Sequence, residues 1–158
     1  TLGNNVMAYT AEAVPVTIIE SLLFDNWDTN SGNIPKPAMV DVNNATDPLR
    51  ADLVNTGDYI LLKADTPTFE ETPIGTWVYG NQRHSVLLEV YTAQSRQRLY
   101  DIQKEIRRIL HDNMHSVTEF QRIQYRSFNE LVQEYMNIWG GRIILECLNS
   151  SILLNTET

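Results

Sequence analysis

"HSVLLEVYTAQSRQRLYDIQKEIRRIL", His84 to Leu110, is the stretch on which the fold turns. With Arg83 before it, the opening RHSVLLEVYT is a nearly continuous apolar run, which predicts a strand at the centre of a sheet. Past a polar turn the pattern becomes helical. With Leu99 at zero and about 100° per residue, Ile102, Ile106, Ile109 and Leu110 fall between about 280° and 20°. That stripe packs on the sheet. Arg96, Lys104, Arg107, Arg108 and His111 occupy roughly 60° to 180°, with Tyr100 among them. Asp101, Glu105 and Asp112 lie near ~200–240°. The helix is sorted into apolar, basic and acidic sectors.

A helix that stabilises itself interleaves its charges, each i, i+4 pair contributing about 0.2–0.5 kcal/mol. Here Lys104 and Arg108 are like-charged at that spacing, as are Asp101 and Glu105. One reading is a solvated face whose cations suit the carboxyl end of the helix. The other is a basic flank that meets an acidic surface on another molecule. Ser95–Asp112 holds five of the twelve basic residues of a chain with formal net charge −8. The acidity is lopsided: residues 1–80 carry eleven acids against three bases, and residues 81–158 balance at nine each. Such asymmetry concerns partners more than fold.

Outward from the central stretch, VPVTIIESLLFDNW reads as a first helix with Pro15 in its opening turn and Val14, Ile18, Ile19, Leu22 and Leu23 on one face. DTNSGNIPKP ends it. Ala38–Val42 and DYILLKAD are strands, separated by the turn-rich NNATDPLRADLVNTG. TPTFEETPIGTWVYG, residues 66–80, reads as a long loop. TEFQRIQYRSF alternates, with Phe120, Arg122, Gln124, Arg126 and Phe128 expected on one side. WGGRIILECLNSSI is the last strand, entered through Gly140-Gly141. The order is α-β-β-β-α-β-β. It predicts an α+β fold, two helices on one face of an antiparallel or mixed sheet of about five strands. A single domain over 1–158 is expected, with a loose arm at 1–12 and a short tail at 154–158.

Composition is ordinary for a globular chain, at 42% hydrophobic and 20% charged residues. No apolar run approaches the roughly 20 residues of a membrane span. The opening Thr1-Leu2-Gly3 lacks the form of a secretion signal. Cys147 is alone, which suits a reducing compartment. A sequence pI near 4.8 argues against a dedicated nucleic-acid binder.

Chemistry finds few footholds. HDNMH, His111 to His115, has the spacing of a zinc HExxH motif, but Asp112 is short for the general base and no third ligand is evident. Cys147 sits mid-strand, where a free cysteine usually fills core, and His84 would be its base only by accident of fold. Glu89 is followed two places on by Tyr91, so no nuclease-like acid-x-Lys pattern exists. GTWVYG lacks the Lys and helix start of a phosphate loop. Trp27, Trp77 and Trp139 read as core or interface anchors. No catalytic, cofactor or metal residue is expected.

Taken in order, VPVTIIESLLFDNW, the strand pair and long loop, HSVLLEVYTAQSRQRLYDIQKEIRRIL, EFQRIQYRSF and WGGRIILEC resemble the tail-completion or tail-terminator proteins of long-tailed viruses of bacteria and archaea. The likeness spans roughly residues 13–150. It implies a ring, hexameric by expectation, that caps the tail tube at the head–tail junction of the virion and joins it to the head connector. DNA would pass through the lumen without specific binding, and no catalytic residues come with the family. Closed rings use head-to-tail interfaces. Arg96, Tyr100, Lys104, Arg107 and Arg108 are therefore expected against a neighbour's acidic half, with Phe69, Glu70, Glu71, Ile74 and Trp77 reaching the tube or a neighbour. An acidic lumen would let DNA slide. Alternatives are another head–tail connector component, or a nucleic-acid-binding module using the basic flank.

Overall fold

The computed structural model describes residues 14–28, 34–43, 57–65, 68–74, 77–133 and 137–155, with side chains except at 68–79, 81 and 150–155. The elements are α1 (Pro15–Asn26), β1 (Ala38–Asp41), β2 (Tyr59–Ala64), β3 (Thr68–Ile74), β4 (Trp77–Thr92), α2 (Arg96–Asp112), β5 (Arg122–Glu130) and β6 (Trp139–Asn155). The expected arm at 1–12 and most of the loop between β1 and β2 lie outside the described residues.

The strands form one mixed sheet in the order β1-β2-β4-β6-β5, and β3 pairs with the early half of β4. Among the described strands only β1–β2 is parallel. The α+β reading holds, with the anticipated strands in sequence.

The core explains the topology. Val86, Leu88 and Val90 of β4 share one sheet face with Ile60, Leu62, Ile123, Ile143, Leu145 and Cys147. Leu99, Ile102, Ile106, Ile109 and Leu110 of α2 and Val16, Ile19 and Leu23 of α1 lie against them. Both helices therefore cover the same face. Burying each Leu, Ile or Val contributes about 1.5–3 kcal/mol. On α1 the expected face shifts: Val14 is 57% exposed, and Val16 is buried instead. Ser95 caps α2 by accepting a hydrogen bond from the Arg98 amide at 3.1 Å.

Three local readings change. Residues 66–80 are not a single loop, because Thr68–Ile74 pairs antiparallel with Trp77–Arg83 as a hairpin. Pro73 is tolerated in β3, which pairs with β4 alone among the described strands and so lies at an edge. At the carboxyl end β6 runs to Asn155, so Leu154 and Asn155 belong to a strand and not to a tail. β5 carries a bulge between Tyr125 and Ser127. A bulge inserts one residue and reverses the alternation. Phe128 consequently shares the helix-covered side with Ile123 and Tyr125, while Arg122 and Gln124 face the other way. Phe120, outside the strand, is core.

The Gly140-Gly141 pair makes room for two rings on opposite faces. A Cβ on Gly140 would come within 2.8 Å of the Tyr91 ring, and one on Gly141 would collide with Phe128. Beyond the core, β3, the start of β4 and the end of β6 continue as a three-stranded ribbon.

Candidate interaction surfaces

The basic sector of α2 divides once its partners are in place. Arg96 donates two hydrogen bonds to Glu130, at 2.7 and 2.8 Å. The Tyr100 hydroxyl donates to the same carboxylate at 2.8 Å, and its ring meets Phe128 edge-on. The β5 bulge makes this possible, since it turns both Phe128 and Glu130 toward the helix. The Glu130 carboxyl is held below its usual range by the bonds from Arg96 and Tyr100. Arg108 bonds Glu105, Asp112 and the Asn26 carbonyl, tying α2 to α1. Arg98, not assigned to any site in advance, reaches Asp58 at 2.9 Å; Thr92 and Gln94 donate to the same carboxylate.

Of the five flank residues singled out, Arg96, Tyr100 and Arg108 are thus engaged within the chain. Lys104 and Arg107 are exposed and make no ion pair among the described residues. Arg107 stands beside β5, within electrostatic reach of Tyr125, and Lys104 lies about one turn away on the outer side of α2. Tyr125 on that strand donates to Gln103 at 2.5 Å; burial pushes its hydroxyl up to about 12, and the charge of Arg107 opposes the rise. Arg122 is exposed on β5, and Arg126 lies 3.8 Å from Glu146. With Lys104 and Arg107 the α2–β5 edge carries the exposed Glu119, whereas Arg122 and the Arg126–Glu146 pair lie on the sheet face away from the helices.

The opposite edge, α1 with β1, has the reverse sign. Among the described residues, Glu20 and Asp41 stand there, with Asp25 and Asp28 at the end of α1 and Lys36 as the cation. Burial and then the charge of Asp41 push the Glu20 carboxyl up. Lys36 sits 3.6 Å from the centroid of the Phe24 ring, which remains 53% exposed. An open cavity of about 420 Å³ adjoins them, lined by Phe24, Lys36, Asp58 and Gln94 among others. The large apolar side chains exposed among the described residues are Val14, Phe24, Tyr100 and Val132. Val14 immediately precedes α1, Phe24 lies on it, Tyr100 on α2 and Val132 just past β5.

The sheet face away from the helices is different again. Glu89, buried at its centre, accepts hydrogen bonds from Lys63 at 2.9 Å, Tyr91 at 3.0 Å and Arg142 at 3.4 Å. Burial alone would raise its pKa, but these bonds and the Lys63 charge outweigh it and bring it below the usual range. Tyr59 stacks on Tyr91 at 5.1 Å. By strand alternation Arg83, Arg122 and Arg126 share this face.

The rejected chemical motifs resolve as follows. α2 ends at Asp112, so His111 and His115 do not share a helical face, and His115 Nδ1 lies 3.1 Å from the Gln121 carbonyl. His84 does stand directly opposite Cys147 in the β4–β6 register. Burial, then the charge of Glu146, pushes that thiol up to about 12, the reverse of nucleophile activation. Phe69, Glu70, Glu71, Ile74 and Trp77 lie on the β3–β4 hairpin, and their side chains are outside the described set. No helix among the described residues is long and apolar enough to cross a membrane.

No protein-family model matches the chain, and no curated protein matches it. Among solved structures, a chain of the virion of a native gene transfer agent (GTA) particle has a similar fold. The TM-score is 0.57 at 10% identity, over 88% of this chain and 100% of that one.

Proposed function

We propose that this chain is a structural virion protein whose copies join head to tail into a ring. That ring, hexameric in our reading, terminates the tail tube and joins it to the head connector. The observation that carries the proposal is the opposition of the two sheet edges. A heterologous interface brings two different patches of one subunit together. Lys104 and Arg107 on α2 are complementary to Glu20 and Asp41 at the α1–β1 edge. Each edge also presents exposed apolar side chains, Tyr100 and Val132 on one and Val14 and Phe24 on the other. Interfaces of this kind join an apolar centre to a polar rim. The likeness to a chain of a gene transfer agent virion supports the virion setting, since it covers the whole of that chain. The β3–β4 hairpin, with Phe69, Glu70, Glu71, Ile74 and Trp77, is the part assigned to the tube or a neighbour. Assembly and docking are the mechanism, and no chemistry is needed.

The test is the mass distribution of purified protein across salt and concentration. A closed oligomer at low salt that dissociates as salt rises is expected, because exposed charge pairs are screened beyond about 8 Å at physiological ionic strength. Lys104→Glu/Arg107→Glu protein should remain folded and monomeric. Oligomers of unchanged mass in that variant would contradict the proposal.

A further inference from the structure

No described helix covers the second face of the sheet, and among the described side chains it carries Lys63, Arg83, Arg122, Arg126 and Arg142 against Glu89, Glu146 and, at the end of β2, Asp65. In a chain whose formal charge is −8, that face alone is net positive. The acids are already engaged: Glu89 by Lys63 and Arg142 and Glu146 by Arg126, and Asp65 is not free either. Arg83 and Arg122 are exposed and make no ion pair among the described residues. Each is the register partner of Leu148, so they flank β6 in one row. Two strand spacings put their Cα atoms about 10 Å apart.

From this we infer that the open sheet face is a sequence-independent contact surface for the phosphate backbone of DNA. DNA carries one charge per about 1.7 Å of its axis, so a flat face three or four strands wide meets several phosphates at once. A protein partner fits less well. Among the described side chains, none of the large apolar ones that are exposed on α1, α2 or around them lies on this face, whereas a protein interface has an apolar centre. Leu87, Ile144 and Leu148 there are only partly exposed between the long cationic side chains. The inference draws on the virion reading for the presence of DNA, but it needs no ring. It replaces the acidic, non-adhering lumen expected from composition with a face that holds DNA weakly wherever it touches it.

The experiment measures binding to a short duplex DNA by fluorescence anisotropy over a salt series, with oligomer mass followed in parallel. Wild-type protein should bind at low salt and release as salt rises. Arg83→Glu/Arg122→Glu should lose at least tenfold in affinity at low salt, with a salt slope shallower by about 1.8, the value for two phosphate contacts. Arg83→Lys/Arg122→Lys should retain binding, which separates charge from folding damage. Lys104→Glu/Arg107→Glu, compared at monomer concentrations, should bind DNA like wild type although it does not assemble. Three results would overturn the inference: wild-type protein that ignores DNA at low salt, an Arg83/Arg122 reversal that binds unchanged, or a reversal that alters oligomer mass instead. The last would make the face a protein contact. Loss of assembly with DNA binding intact would count against the ring alone.

Discussion

The two edges of the sheet are finished in different ways. The α1–β1 edge ends in a four-residue parallel strand, and its acids stand with Lys36 as the cation among the described residues. The α2–β5 edge ends in a nine-residue antiparallel strand with a bulge that bends side chains back to the helix. There Glu130 neutralises Arg96, leaving Lys104 and Arg107 to face outward. The difference teaches that a basic sector read from a helical wheel is an upper bound. Folding consumes part of it, and only the remainder is available to a partner.

Gly141→Val is the hardest blow to one edge alone. The added side chain meets Phe128, the ring that Tyr100 packs on, and overpacking of this kind costs about 1–3 kcal/mol. Chemical denaturation should show that loss, with hydrogen exchange rising first in β5. An equal rise in α1 and β1 would mean that the edges are not independently built.

Glu89→Gln probes the ground between the edges. Because folding lowers the Glu89 pKa, its stabilisation is full above the unfolded carboxylate value of 4.5 and fades as pH falls through the lower folded value. The variant should be less stable by about 1 kcal/mol at pH 7. That deficit should shrink in acid, with assembly at pH 7 matching wild type. A deficit that is flat with pH would show that the Lys63 and Arg142 contacts contribute little.

Much of this architecture was legible because periodicity reports burial directly. The stripe Leu99–Leu110 and the run Val86–Val90 each met the face they implied, and Pro15 stands in the first turn of α1. Residues 66–80 misled because Pro73 weakens a strand only where its N–H would be needed. The parity of Phe128 was hidden by the bulge, which leaves no composition mark. The pairings of Arg98 with Asp58 and of Arg96 with Glu130 join residues 40 and 34 positions apart. No local pattern encodes them. The basic open face had a signal, the alternation of Arg83, Ser85, Leu87 and Glu89 and of Arg142, Ile144 and Glu146. It needed the strand order before the separate rows could be seen as one surface.

Complementation between two opposite charge reversals tests the joining of the edges most directly. Lys104→Glu/Arg107→Glu makes both edges acidic, and Glu20→Lys/Asp41→Lys makes both basic. Each variant alone should stay monomeric by mass measurement at low salt, and an equimolar mixture should recover a closed oligomer in which the two alternate. A mixture that remains monomeric, or a single variant that assembles unaided, would contradict head-to-tail pairing of these edges.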